Sequence, residues 1–384
     1  RAPAPRMLVM KKWNVEICDV TLRDGEQTPG VSFTSEEKCR IADLLDHIGV
    51  DVIEAGFPVV SRIEASCVHD VSNMGLDARI CCLSRAMKSD VDCALECDVD
   101  MISIFIATSD LHMRIKYKKP REEVLAQALT TVEYAHDHGI QVRFAAEDAS
   151  RTDPAFLRDM YLQGADHGAD YVSFADTVGC LTPLEMAKTI DTLLVDLPVP
   201  LCVHCHDDMG CAAANTITAA ERGAYQLHTT VNGIGERAGN ASLEEVLTAL
   251  RFKGGVDRYD LSHLVHLSSV VSNASGIPIS KTKAIVGEHA FAHESGIHIA
   301  ALIEDSATYE FIPPALVGGE RHYILGKHTG KKAIVHILSS MGHELPDDRI
   351  CWILEQVKVH GEKKCSITHE LLLSLIHQAE EVVA

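Results

Sequence analysis

VEICDVTLRDGEQTPGVSFTSEEKCRIADLLDHIGVDVIEAG (15–56) holds one complete structural unit and the start of the next. It opens on a short strand-like run, VEICDV (15–20), and passes through the polar loop TLRDGEQ (21–27). TSEEKCRIADLLDHIG (34–49) then carries helical periodicity, with Thr34 or Ser35 and a nearby Glu set for an N-cap. DVIEAG (51–56) is the second strand-like run.

The same plan recurs down the chain. Further runs stand at ARICCL (78–83), DMISIFI (100–106), IQVRFAA (140–146), DYVSFA (170–175), PLCVHC (200–205) and AYQLHTT (224–230). Among the helical stretches between them, REEVLAQALTTVEYAHDHG (121–139) closes on Gly139 at a C-cap position. Eight strands and eight helices therefore alternate from residue 14 to about residue 251, without hairpin signals. Alternating βα units imply a parallel sheet, and eight of them imply closure into a (β/α)8 TIM barrel. An open doubly wound sheet would want a GxGxxG turn after an early strand, and none follows the first. The expected fold is thus α/β, a catalytic TIM barrel over 14–285 with a small, mainly helical C-terminal region over 286–384. Helices are expected there at 331–341, 347–359 and THELLLSLIHQAEEVVA (368–384).

Composition narrows the partners. A formal charge of −20 lacks the basic footprint of a nucleic-acid binder, while leaving room for a locally basic pocket. No stretch approaches the roughly 20 apolar residues of a membrane span. RAPAPRMLVMKKWN (1–14) is too short and too broken by Lys11 and Lys12 for a signal peptide, and an opening on Arg1 rather than Met is consistent with a start further upstream. Thirteen cysteines, an odd number scattered along the chain, read as reduced thiols of a cytoplasmic protein and mostly as small core hydrophobes.

Barrel enzymes build their sites from the loops after the strands. Five strand ends are rich in polar groups: TLRDGEQ, EDASR (147–151), DTVG (176–179), HCHDD (204–208) and NGIGERAGN (232–240). Side chains alternate along a strand, so His204 and His206 share a face and Cys205 takes the other. Two imidazoles at the barrel mouth make a clamp for a divalent metal, with Asp24, across the barrel, as the natural third ligand. Oxygen-rich loops favour Mg2+ or Mn2+, with Zn2+ as a third option. Two satisfied core histidines are the plain alternative, which would win for a lone His and loses here. One of Asp207 and Asp208 is expected to cap the next helix. Arg23 is set to hold an anion and polarise a carbonyl, a structural ion pair being the runner-up. Glu147 is an acid or base candidate, with Asp148 and Arg151 holding its loop. Arg143 has the parity of Glu147 and so faces the same side, where a distal carboxylate would want a cation.

TLRDGEQTPG, EDASRTD, DTVG, HCHDD, NGIGERAGNASLEE, FAHESGIH and LGKHTG stand in this order between about residues 15 and 340. Together they make the chain resemble the homocitrate synthase and 2-isopropylmalate synthase family, whose members also include citramalate and Re-type citrate synthases. The resemblance implies a metal-dependent barrel in which acetyl-CoA is enolised and attacks the ketone of a 2-oxo acid, thioester hydrolysis then releasing CoA. It implies Asp24, His204 and His206 as metal ligands, with Asn240 as their neighbour. Arg23 matches the residue over the substrate carbonyl, with Gln27 in the same motif, and Thr177 matches a hydroxyl that holds the C1 carboxylate. Glu147 matches the glutamate near the reacting carbons. His298 matches a histidine that the C-terminal portion of a partner subunit brings over the barrel, and Tyr323 falls where a tyrosine completes that acid–base group. An intertwined homodimer follows from the same resemblance.

Arg143 matches an arginine resembling the 2-oxoglutarate reader of lysine-pathway homocitrate synthases, which favours homocitrate as product. The chain ends soon after its short helical stretches, so the long regulatory domain of leucine-inhibited isopropylmalate synthases is not expected. IATSDLHMRIK (106–116) looks more isopropylmalate-type, with His112 as a second candidate substrate contact. Isopropylmalate, citramalate and Re-citrate synthesis stay open as alternatives. An HMG-CoA-lyase-like or aldolase-type C–C lyase would share the metal clamp but would not be expected to carry GERAGN with SGIH and GKHTG. A barrel used only for binding would be expected to have lost Asp24 or a histidine.

Overall fold

The computed structural model describes residues 12–382, so most of the leading stretch weighed as a signal peptide lies outside the described residues. The chain divides into two compact units, one up to Ile279 and one from Ser280. In the first, eight strands follow one another in a closed, all-parallel barrel: β1 (Glu16–Asp19), β2 (Val52–Gly56), β3 (Arg79–Arg85), β4 (Met101–Ala107), β5 (Gln141–Glu147), β6 (Tyr171–Asp176), β7 (Leu201–Cys205) and β8 (Gln226–Thr229). Closure comes from β8 against β1, in a register running from Glu16 with Gln226 to Asp19 with Thr229. The fold is the TIM barrel that the alternation implied.

Eight helices follow the strands in turn: α1 (Ser35–Ile48), α2 (Arg62–Ser72), α3 (Lys88–Leu95), α4 (Arg121–Asp137), α5 (Pro154–Asp166), α6 (Pro183–Leu193), α7 (Ala212–Arg222) and α8 (Leu243–Phe252). The start of α1 is a capping box. The Thr34 hydroxyl accepts from the Glu37 N–H at 3.2 Å, and the Glu37 carboxylate accepts from the Thr34 N–H at 2.8 Å. Ile41, Ala42, Leu45 and Ile48 form its buried stripe. Fully burying each of its larger members is worth roughly 1.5–3 kcal/mol. The helix stops at Gly49, whose φ of 89° suits a residue without Cβ.

The lumen is filled by inward-facing side chains. Cys18, Val20, Val52, Cys81, Met101, Tyr171 and Cys202 pack into one cluster, in which Cys18 and Cys81 also accept from Arg143 at 3.3 and 3.7 Å. All cysteines of the chain are free. Two features of this unit lie outside the βα count. An additional helix, α9 (Leu264–Ser275), packs beside α1, and no strand precedes it to announce it. Between β4 and α4 the backbone winds into a π-helical turn at Met113–Tyr117.

The second unit contains α10 (Gly296–Glu304), α11 (Lys331–Ser340), α12 (Asp347–Glu362) and α13 (His369–Val382). Ile334 and Leu338, Ile353 and Val357, and Leu372 and Ile376 recur at helical spacing and build its core. A short parallel pair, β9 (Ala292–His293) with β10 (His322–Tyr323), stands in the stretch before residue 331, for which no element was expected. No helix among the described residues is long and apolar enough to cross a membrane.

Candidate active site

The polar strand ends converge on a cavity of about 390 Å³ in the barrel unit. Arg23, Asp24, Gln27, Arg143, Glu147, Thr177, His204 and His206 all line it. The loop that carries three of them is pinned from α1. Lys38 is fully buried, donates to the Leu22 carbonyl at 3.1 Å and pairs with Glu26 at 2.8 Å.

His204 and His206 bring their Nε2 atoms to 3.1 Å of each other. Asp24 Oδ2 lies 3.1 Å from the first and 3.8 Å from the second. Divalent ions sit about 2.0–2.2 Å from such ligands, and three atoms so spaced share a point at that range just off their common plane. The Nδ1 atoms of both histidines and Asn240 Oδ1 are buried with no hydrogen-bond partner, so these are not satisfied core side chains. Asn240 reaches the cluster because residue 235 is glycine: a Cβ there would fall 2.1 Å from Asn240 Nδ2 and 3.3 Å from Asp24 Oδ1. Two imidazoles and a carboxylate form a donor set that fits a divalent ion. Burial pushes the Asp24 carboxyl up, but Arg23 and the imidazoles outweigh it and hold it well below the usual carboxylate range. Burial, with help from His204, pushes His206 down to about 4, which keeps its imidazole neutral and free to ligate.

Beneath the cluster, Glu54 joins two arginines. Arg23 Nε donates to its Oε1, and Arg143 Nη2 donates to its Oε2. Arg23 also donates to Asp24 at 3.0 Å. Arg143, 1% exposed, faces the lumen as its parity required and donates as well to Gln226 at 2.8 Å and Ser103 at 3.1 Å. Glu54 escaped the sequence reading because VIEAG (52–56) shows one carboxylate in an apolar run; its inward parity was the available signal.

Around the rim, Thr177 Oγ1 accepts the Asp148 N–H at 2.8 Å. Arg237 donates to the Thr177 carbonyl at 2.7 Å and pairs with Asp208, also at 2.7 Å. Asp207 is the expected cap, accepting from the Ala212 N–H at 2.7 Å where α7 begins. Arg151 holds Asp148 at 2.8 Å. Glu147 Oε1 accepts from Lys116, a residue that sequence reading passed over, while its Oε2 is buried without a partner. His112 stands behind this pair, 3.7 Å from both Glu147 Oε1 and Asp148 Oδ2. His298 and Tyr323 belong to the second unit. The His298 ring stacks on Tyr309 at 4.0 Å, and Tyr323 meets His336 edge-on at 5.3 Å.

Residues 14–271 match the family model described as HMGL-like, and residues 285–365 match the one described as homocitrate synthase post-HMGL domain-like. Homocitrate synthase AksA of Methanosarcina mazei is 54% identical over 370 residues, covering 96% of this chain and 91% of that protein. The chain belongs to the homocitrate synthase and 2-isopropylmalate synthase family. Substrate preference divides this family: 2-isopropylmalate synthase of Methanocaldococcus jannaschii is 48% identical, over 92% of this chain and 69% of that protein. Hydroxymethylglutaryl-CoA lyase of Pseudomonas aeruginosa superimposes with a TM-score of 0.63 at 22% identity, over 71% of this chain and 96% of that one, a likeness of fold.

Proposed function

We propose that this acyltransferase joins the acetyl group of acetyl-CoA to the ketone carbon of a dicarboxylic 2-oxo acid, with 2-oxoglutarate as acceptor and homocitrate and CoA as products. The observation that carries the reading is Arg143, a guanidinium 1% exposed that lines the cavity. A second carboxylate on the acceptor gives this buried cation a charge-assisted partner, which a branched apolar acceptor lacks.

Asp24, His204 and His206 would hold the ion, with Asn240 beside them. Mg2+ or Mn2+ is the expected occupant, and it supplies Lewis-acid polarisation of the acceptor's carbonyl. Arg23, fixed between Asp24 and Glu54, stabilises the negative charge that develops on the carbonyl oxygen. Since Thr177 Oγ1 already accepts a backbone N–H, its own proton is left to donate to the C1 carboxylate, with Gln27 nearby on the cavity wall. Arg143 serves the distal carboxylate while Glu54 keeps it in position. Glu147 takes a methyl proton from acetyl-CoA, the new carbanion attacks the ketone carbon, and water then cleaves the thioester. His298 and Tyr323 keep the acid–base role that the resemblance implies for them in a homodimer.

Leu83, Phe105 and Ala145 in the same cavity favour a second reading, 2-isopropylmalate synthesis from the branched 2-oxoisovalerate. The two are separated by kcat/KM for both acceptors in the native enzyme and in Arg143→Met. Loss of a buried charged contact should lower kcat/KM for 2-oxoglutarate by about 100-fold or more and leave 2-oxoisovalerate within a few-fold. An equal loss on both acceptors would make Arg143 structural and remove the diacid reading.

A further inference from the structure

Glu147 is where the proposed reaction needs a base, and its two carboxylate oxygens are in different situations. Oε1 accepts from the ammonium of Lys116. Oε2 is buried with no hydrogen-bond partner, on a residue that lines the cavity. Native proteins rarely leave a buried carboxylate oxygen without a partner, so this carboxylate is held by Lys116 on one side only.

The backbone that delivers Lys116 is unusual. After β4 the chain makes a short turn capped by Ser109, whose hydroxyl accepts from the His112 N–H at 3.2 Å and donates to Asp148. Met113–Tyr117 then wind as a π-helical turn, ended by Lys118 in the left-handed region at φ 54°. A π-turn is a costly insertion found mostly at functional sites, and a left-handed lysine costs about 1 kcal/mol or more. The turn is anchored on both flanks of Lys116: Met113 is buried, and the Tyr117 hydroxyl accepts from the Ala107 N–H at 3.1 Å. Between those anchors the Lys116 side chain, 45% exposed, lines the cavity and meets Glu147. Among the described residues no other lysine or arginine pairs with the carboxylate. Arg151 on the same loop is engaged with Asp148 at 2.8 and 2.9 Å, and Arg237 is engaged with Asp208 and Thr177. His112 and Tyr117 are the remaining titratable groups of the β4 loop near Glu147, and His112 stays at 3.7 Å.

We infer that Lys116 is a positioning residue of the reaction: by holding Glu147 Oε1 it fixes the carboxylate on the cavity wall for the methyl carbon of acetyl-CoA. The inference rests on the reading of Glu147 as the base. In the step, a proton passes from the methyl carbon to the Glu147 carboxylate, and the C–H electron pair moves into the enolate, with the charge on the thioester oxygen. That pair then forms the bond to the ketone carbon. Lys116 gives up no proton and forms no covalent bond.

The test uses the full-length enzyme with Lys116→Met, Lys116→Arg and Glu147→Gln, acetyl-CoA and its trideuterated form, and 2-oxoglutarate. Misplacing a base by about an ångström lowers rates by about 100-fold. Lys116→Met should therefore lose about that much in kcat, keep the KM for 2-oxoglutarate within about twofold, and raise the deuterium effect on kcat as proton removal becomes limiting. Lys116→Arg, which keeps a charged donor, should recover most of the loss. The inference is overturned if Lys116→Met keeps native kcat, if its loss falls on KM instead, or if kcat falls with the deuterium effect unchanged. Glu147→Gln separates the two layers. Full activity in that variant removes the base itself, whereas inactivity beside an unaffected Lys116→Met removes only the role of Lys116.

Discussion

Glu54→Gln should damage the barrel more than loss of either arginine it serves. The side chains of Glu54 and Arg143 are each 1% exposed, while that of Arg23 is 13% exposed and has a second carboxylate, Asp24, at 3.0 Å. Replacing Glu54 with its neutral isostere leaves Arg143 with only neutral neighbours, Ser103, Gln226, His228 and the Cys18 and Cys81 thiols. A buried charge stripped of its partner costs about 3–5 kcal/mol. Arg143→Met strands nothing, because Glu54 keeps Arg23. That variant loses charge-assisted hydrogen bonds worth about 1.5–3 kcal/mol and regains part of the desolvation penalty. The double variant should cost about as much as Arg143→Met alone, which puts the coupling at about 3–5 kcal/mol, the cost of Glu54→Gln itself. Urea unfolding in chelator measures all three, so that ion release does not enter. The chain has two tryptophans, and Trp13 is tied to the barrel by its N–H on the Gly254 carbonyl at 2.9 Å. In a Trp352→Phe background its fluorescence therefore follows the barrel unit, and linear extrapolation gives the free energies. Equal costs for the two single variants, or an additive double, would refute the idea that the charge of Glu54 organises this part of the lumen.

Burial holds the Asp19 carboxyl at about 7, above its ordinary 3.8. The folded barrel thus prefers it protonated, and its contribution to stability is complete below pH 4 and lost as pH rises from about 4 to 7. Asp19→Asn should match the native protein at pH 4 and exceed it above pH 7; a difference that stays constant across that range in urea unfolding would contradict the assignment. His204→Ala should weaken Mn2+ binding, measured by calorimetry, by about 100-fold or more, since one of three strong ligands is gone. Native affinity in that variant would remove the metal centre. Gly239→Ala puts a Cβ 1.9 Å from the Gly233 carbonyl at φ 92°, so the loop carrying Asn240 must move. A fall in thermal midpoint with lost Mn2+ affinity is expected, and an unchanged midpoint would show that the loop has slack.

The strands of the barrel were legible because they are buried on both faces and so appear as short apolar runs rather than alternations. His204 and His206 were legible because a period of two ties sequence spacing directly to a shared face. What escaped depends on long-range pairing or backbone conformation. Glu54 gains its meaning from Arg23 and Arg143, distant in sequence. In IKYKK (115–119) three lysines look alike, and the π-turn with its Tyr117 anchor selects Lys116 among them. Arg237 ties the ends of β6 and β7 to the β8 loop from a left-handed backbone, φ 57°, that no propensity foretells for arginine. β9 and β10 are two residues each, too short for any periodicity.

The most direct test is thiol release from acetyl-CoA by the native enzyme, with Mg2+ or Mn2+ and in chelator, across 2-oxoglutarate, 2-oxoisovalerate, pyruvate and oxaloacetate. Metal-dependent release that is fastest with 2-oxoglutarate is the expected result. Fastest release with 2-oxoisovalerate, or release undiminished in chelator, would contradict it.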